Sequence, residues 1–232
     1  MQHVLGTFLL LLQEAGDNQG AVNYLIQKFN EGGFFMWPIL GCLVFGLAFV
    51  IFKFISLSRA SVNTKKFIVD VKKALDEGGV DRAIEVCSKS SGSISSVFQA
   101  GLMRADEGID AAEKAVISYG SIEMSFLERG LIWISTFISL APLLGFTGTV
   151  QGMIQAFDAI AAAKNISPEI VATGISVALL TTLFGLIVAM ILQVFYNFFV
   201  SRIDKLVVEM EESSIELIDS LVLLERGKKT SK

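Results

Sequence analysis

Three stretches of the chain abandon the alternation of polar and apolar residues. Phe34 to Phe52, Leu131 to Gly152 and Thr173 to Val200 contain no Asp, Glu, Lys, Arg or His. Each has close to or above the ~20 residues with which a helix crosses a bilayer. They predict three transmembrane helices. Between the first and second stretches the pattern returns to a period of 3.6. Thr64 to Glu77 puts Phe67, Ile68, Val71 and Leu75 on one face, and Gly78-Gly79 supplies a glycine stop. Val80 to Ser88 buries Ala83, Ile84 and Cys87, Ser90 to Ser96 reads as a Ser/Gly connector, and Val97 to Ala105 is an apolar-faced helix ended by Asp-Glu-Gly. These faces read as core packing.

Asp110 and Glu113 have the spacing of a capping box, which predicts a helix start there. Nothing forces a stop before Pro142, so one long helix is expected to rise from this point into the second span. Pro142 is expected to bend it, through ring clash and a missing N–H. The bend fits a pore helix and equally a tolerated membrane kink. Ser167-Pro168-Glu169 reads as a helix start with cap, first-turn proline and an acid complementing the dipole. After the third span Ile203, Val207, Met210, Ser214, Leu217, Leu221 and Leu224 alternate spacings of four and three, a heptad-like seam that predicts association with another helix.

The expected fold is therefore all-α, a polytopic membrane protein with three transmembrane helices, two of them extended into a cytoplasmic helical bundle. The predicted divisions are an external segment 1–33 with a short amphipathic helix, spans at 34–55, 130–152 and 170–200, a cytoplasmic helical loop 56–129, a short external loop 153–169, and a cytoplasmic helix with basic tail 201–232. Composition agrees: 53% of residues are hydrophobic, 18% are charged, and mean hydropathy is +0.62.

Charge supplies the orientation. Arg59, Lys65, Lys66, Lys72, Lys73, Arg82, Lys89, Arg104, Lys114 and Arg129 separate the first two spans, whereas Lys164 alone stands between the second and third. Arg202, Lys205, Arg226, Lys228, Lys229 and Lys232 follow the third span, and Lys28 alone precedes the first. The positive-inside rule puts the N-terminus outside and the large loop and C-terminus inside. Val4 to Leu12 has the apolar length of a signal core, but lacks a preceding positive charge and a small-residue cleavage site, so it reads as a retained external helix. Lys53, at the end of the first span, is expected to snorkel to the headgroups.

Candidate chemistry is sparse. A net charge of -4 and a pI near 5.1 offer no basic surface for nucleic acid. Cys42 and Cys87 fall in separate regions, His3 is the sole histidine, and no Gly-rich phosphate loop is present, so neither a metal site nor a cofactor is expected. Asp17, Asp158 and Glu169 have no His or nucleophile nearby in sequence and read as solvated acids, so no catalytic residue is assigned. That leaves the hydroxyls. In antiparallel spans Thr149 lies 18 residues after Leu131 and Thr182 lies 18 residues before Val200. Both thus fall ~27 Å from the same face at 1.5 Å per residue. Aligned hydroxyls suit a hydrated ion path, and they equally suit helix packing.

The third span also carries a stripe of small and weakly polar residues: Gly174, Ala178, Thr182, Gly185, Ala189 and Gln193. The second answers with Ser135, Ser139, Pro142, Thr149, Gly145, Gly148 and Gly152. Such stripes let membrane helices approach closely, or line a narrow cavity between subunits.

The run Ala141-Pro142-Leu143-Leu144-Gly145-Phe146-Thr147-Gly148-Thr149-Val150-Gln151-Gly152-Met153-Ile154 resembles the APLLG-x-x-GTV-x-GMI pattern of the MotA/TolQ/ExbB proton-channel family. A second block, Gly174 to Leu186, resembles the family's third-span motif, and the likeness extends from about Gly32 to Leu224. It is strongest to ExbB-type subunits; the four-span flagellar stators fit less well, since this chain has one span fewer. The resemblance implies a homopentamer in the bacterial inner membrane whose second and third spans surround two single-span ExbD-type partners. It also implies proton flow past a partner aspartate that energises a TonB-like protein. Thr149 and Thr182 match the family's pore threonines, and Thr181 is the neighbouring hydroxyl. Many relatives have a glutamate five residues before Thr182, where this chain has Val177. The spans offer no carboxylate of their own, and titratable groups inside membranes are usually functional. The obligatory acid is accordingly expected from another chain. A TolQ-like role in the cell envelope and a non-conducting membrane scaffold are the alternatives.

Overall fold

The structure, a computed structural model, describes residues 18–60, 64–90, 92–163 and 168–230. Every longer element among them is an α-helix: α1 Asn18–Glu31, α2 Met36–Ala60, α3 Thr64–Lys89, α4 Ser93–Leu102, α5 Ile109–Glu128, α6 Leu131–Ala163 and α7 Pro168–Thr230, with a 3-10 turn at Ala105–Glu107. Three segments are long and apolar enough to cross a membrane, Met36–Ser58, Ile109–Ala162 and Val171–Glu225. Their outward side chains include Phe45, Phe146 and Leu179, all more than half exposed. In water such exposure would oppose folding by ~25 cal/mol per Å²; against lipid tails it does not. The expected helix at Val4 to Leu12 lies outside the described residues.

The predicted glycine stop is present: Gly79 has φ 70° and breaks the helical course of α3 between its two apolar-faced halves. The capping box is not formed. Gly108 occupies the N-cap of α5 with φ 111° and no side-chain cap bond, so Asp110 sits inside the first turn, where its charge complements the helix dipole. The expected continuous helix from Asp110 to Pro142 is also interrupted. Arg129 leaves helical geometry at ψ 130° and Gly130 takes φ 92°, and these two residues separate the end of α5 from the start of α6. Glycine permits that conformation at little cost. α6 then runs through Pro142 and past Gly152 to Ala163, and α7 continues unbroken through the third span to Thr230.

The chain forms two compact units, residues 1–48 with 134–194 and residues 49–133 with 195–232. In the second unit Phe67, Val71 and Leu75 of α3 join Val97 and Phe98 of α4, Val116 of α5, and Met210, Leu217 and Leu221 of α7 in one core. The Phe67 and Phe98 rings meet at 5.5 Å between centroids. The buried seam of α7 here is Ile203, Leu206, Met210, Ser213, Leu217 and Leu221. Val207 and Ser214, placed on it by spacing, are half-buried neighbours, because the core reaches α7 from a direction rotated by one residue at those turns.

Lys53 belongs to this unit and does not snorkel. It is 2% exposed, and its ammonium donates to the carbonyl of Leu127 and, at 2.9 Å, to that of Arg129. These are C-terminal carbonyls of α5, which have no partners within the helix. The buried cation satisfies them at the helix break.

A threonine and glycine seam between α6 and α7

The first unit holds the threonines and the glycine stripes. Its geometry follows from the absence of side chains: Gly145, Gly148 and Gly152 of α6 and Gly174 and Gly185 of α7 are all buried at one interface. A Cβ added to Gly145 would stand 2.8 Å from the Thr181 carbonyl oxygen and 3.0 Å from the Thr182 Cα. At Gly152 it would stand 2.9 Å from the Gly174 carbonyl oxygen, and at Gly185 2.6 Å from that of Ala141. Backbone therefore meets backbone along the pair, the contact that small residues permit in membranes. Ala178, buried, completes the α7 stripe, and Ala141 and Ala156, also buried, extend the α6 stripe by a turn at each end. Gln193 is exposed, whereas Val188 and Leu192 are buried, the latter beneath Gly46 of α2.

The three threonines have three environments. Thr181 is fully buried against Gly148, and its hydroxyl donates to the Ala178 carbonyl at 2.9 Å, with that of Val177 at 3.2 Å. Thr182 is half-buried and donates across the helix pair to the Gly145 carbonyl at 3.3 Å. Thr149 is half-buried and donates within α6 to the Phe146 carbonyl at 2.6 Å. With Gly145 against Thr182 and Gly148 against Thr181, the level of Thr149 lies within about one turn, ~5 Å, of both. Pro142 stands half-buried one turn before Gly145.

These hydroxyls do not titrate in any accessible range. Each spends its one donor on a carbonyl and keeps oxygen lone pairs that can accept from a water or a protonated acid. Thr149 and Thr182 retain surface through which such a donor could arrive, whereas Thr181 has none. The pair can therefore orient and hydrogen-bond a proton carrier but cannot itself carry charge. Val177 lies 3.7 Å from where a Cβ of Gly33 would be. Among the described residues no cluster of His, Cys, Asp or Glu is arranged to hold a metal.

Residues 89–212 match the model of the MotA/TolQ/ExbB proton channel family. A relative in Methanothermobacter thermautotrophicus, described as a biopolymer transport protein ExbB homolog, is 32% identical over 202 residues, 85% of this chain and 68% of that one. The biopolymer transport protein ExbB of Salmonella typhimurium is 36% identical over 78 residues, 34% of this chain and 32% of the relative. The Tol-Pal system protein TolQ of Haemophilus influenzae is 37% identical over 75 residues, 32% of this chain and 33% of the relative. With its three apolar helices and these likenesses, this chain belongs to the MotA/TolQ/ExbB proton channel family, as a multi-pass membrane subunit.

Proposed function

We propose that this chain is the ring-forming subunit of an ExbB-ExbD-type complex that uses the proton gradient to energise TonB-dependent transport across an outer membrane. It sits in the bacterial inner membrane as a homo-oligomer, with five subunits expected, its N-terminus periplasmic and its C-terminus cytoplasmic. The observation that carries this reading is the pair of half-buried hydroxyls, Thr149 and Thr182, at one level in spans otherwise free of charge. Proton movement past them needs a carboxylate, and an ExbD-type single-span partner provides it. The glycine seam supports the role by holding α6 and α7 at backbone contact, so that the hydroxyls keep a fixed register while the partner moves. Thr181 acts through packing at Gly148, beside the path. Pro142 shapes the same turn of α6.

A TolQ-like role, with the same mechanism serving envelope integrity, is the second reading, favoured by the 37% identity to the Haemophilus TolQ. Identification of the single-span protein that co-purifies with this chain separates the two.

Proton flux into liposomes holding the chain with that partner tests the mechanism. Flux should require the partner and fall by at least tenfold in Thr149→Val/Thr182→Val, about 1.4 kcal/mol of lost stabilisation. Undiminished flux in the double variant would return both threonines to helix packing. Conductance by the chain alone would remove the need for a partner acid.

A further inference from the structure

Arg202 is the first charged residue of α7 after Glu169, and so marks the depth at which the third span leaves hydrocarbon. At that depth a cavity of ≈ 400 Å³ opens between α2 and α7, lined by Phe54, Leu57, Ser58, Phe198, Phe199 and Arg202. Leu57 and Phe199 are buried and form its floor. Phe54 and Phe198 are more than half exposed and flank its mouth. Protein interiors rarely leave a void larger than a water molecule. An apolar cavity of this size, open at a membrane edge, is filled by what surrounds the protein there.

Its chemistry is that of a lipid headgroup boundary. Four apolar walls match an acyl chain, and one guanidinium with one hydroxyl matches a phosphate. Arg binds phosphate in bidentate fashion, and its five N–H donors allow this alongside bonds to the protein. Nearby, Lys53 serves the carbonyls of Leu127 and Arg129, and Lys205 lies 4.0 Å from Glu209. The Lys and Arg excess on this side of the spans corresponds to the leaflet rich in anionic lipid, where basic pockets between transmembrane helices recognise such headgroups. We infer that the cavity between α2 and α7 binds an anionic phospholipid, its acyl chain along Phe54, Leu57, Phe198 and Phe199 and its phosphate on Arg202 and Ser58. The inference rests on the proposed cytoplasmic placement of the Arg202 end.

The full chain with its co-purifying partner, in nanodiscs of phosphatidylcholine with or without phosphatidylglycerol, provides the test, read as lipid retained per chain by native mass spectrometry. Phosphatidylglycerol should be retained over phosphatidylcholine. Arg202→Gln should lower that retention about tenfold, as expected for one charged hydrogen-bonding group; Lys205→Gln should leave it unchanged. Arg202→Lys, which keeps the charge and loses the planar fork, should fall between. Equal retention of the two lipids, or undiminished retention in Arg202→Gln, would overturn the inference. So would displacement by millimolar inorganic phosphate, which would make the ligand a free anion. Both leaflets of the nanodisc have one composition, so a mistaken orientation leaves these results intact. Protease access to the C-terminal tail in sealed vesicles tests orientation separately.

Discussion

Gly145 and Gly41 both lie in apolar helices, yet their surroundings are opposite. A Cβ at Gly145 meets two backbone atoms of α7 at 3.0 Å or less, whereas a Cβ at Gly41 meets nothing within 4 Å. Backbone atoms of a packed helix cannot step aside, so Gly145→Ala must spread the pair, an overpacking that costs about 1–3 kcal/mol. Gly41→Ala should be neutral or slightly stabilising, because alanine favours helix by up to about 1 kcal/mol. Thermal unfolding of the two variants in one detergent checks the contrast; equal midpoints would show that the seam is looser than its geometry. Thr181 and Thr182 make the same point. Adjacent in sequence and alike in chemistry, they differ in that one is sealed behind Gly148 and the other reaches a carbonyl of α6. Spacing alone put Thr182 on the packed stripe and could not rank Thr181, since both lie within the arc that a neighbouring helix covers.

At the scale of elements, the break between α5 and α6 was not legible in advance. A single glycine in an apolar context is usually tolerated within a helix. Here Gly130 takes φ 92°, and the carbonyls exposed by the break find the Lys53 ammonium, which lies 74 residues from Leu127 in the chain. An interaction of that range leaves no local signature, which is why the lysine reads as a snorkelling residue from its position alone. Gly130→Ala should cost about 1–2 kcal/mol, the price of a Cβ in left-handed backbone, and should increase proteolytic cleavage between α5 and α6. Unchanged cleavage and stability would mean that the break can straighten without loss. The glycine stop at Gly79 was legible, because two glycines there interrupt a clear apolar face.

For the whole molecule, the unit built from α3, α4, α5 and the end of α7 is held by an ordinary apolar core, and Cys87 reports on it. Its thiol is buried, and burial pushes its pKa up to about 12. Since the folded value exceeds the ordinary 9.0, the folded state holds the proton where the unfolded state loses it. This contribution to stability is complete below about pH 9 and is lost as pH rises from there towards 12. At pH 8 the native protein should resist maleimide at this cysteine. Phe98→Ala, which removes about 3 kcal/mol or more from the core, should speed labelling roughly a hundredfold if labelling requires this unit to open. Labelling at the native rate would show that Cys87 is reached by a smaller local motion.

The sequence by itself determined the helical class, the three spans, the stop at Gly79, the long reach of α7 and the two motif blocks that carry the family. All of these are written in composition or in a period of 3.6, which local residues set without help from distant ones. Only the tertiary structure decided which side of each stripe is packed, where α5 ends, what Lys53 binds, and which threonine keeps open surface. Those depend on the rotation and contact of helices far apart in the chain. A rotation of one residue exchanges a buried position for a half-buried one while leaving the periodicity unchanged.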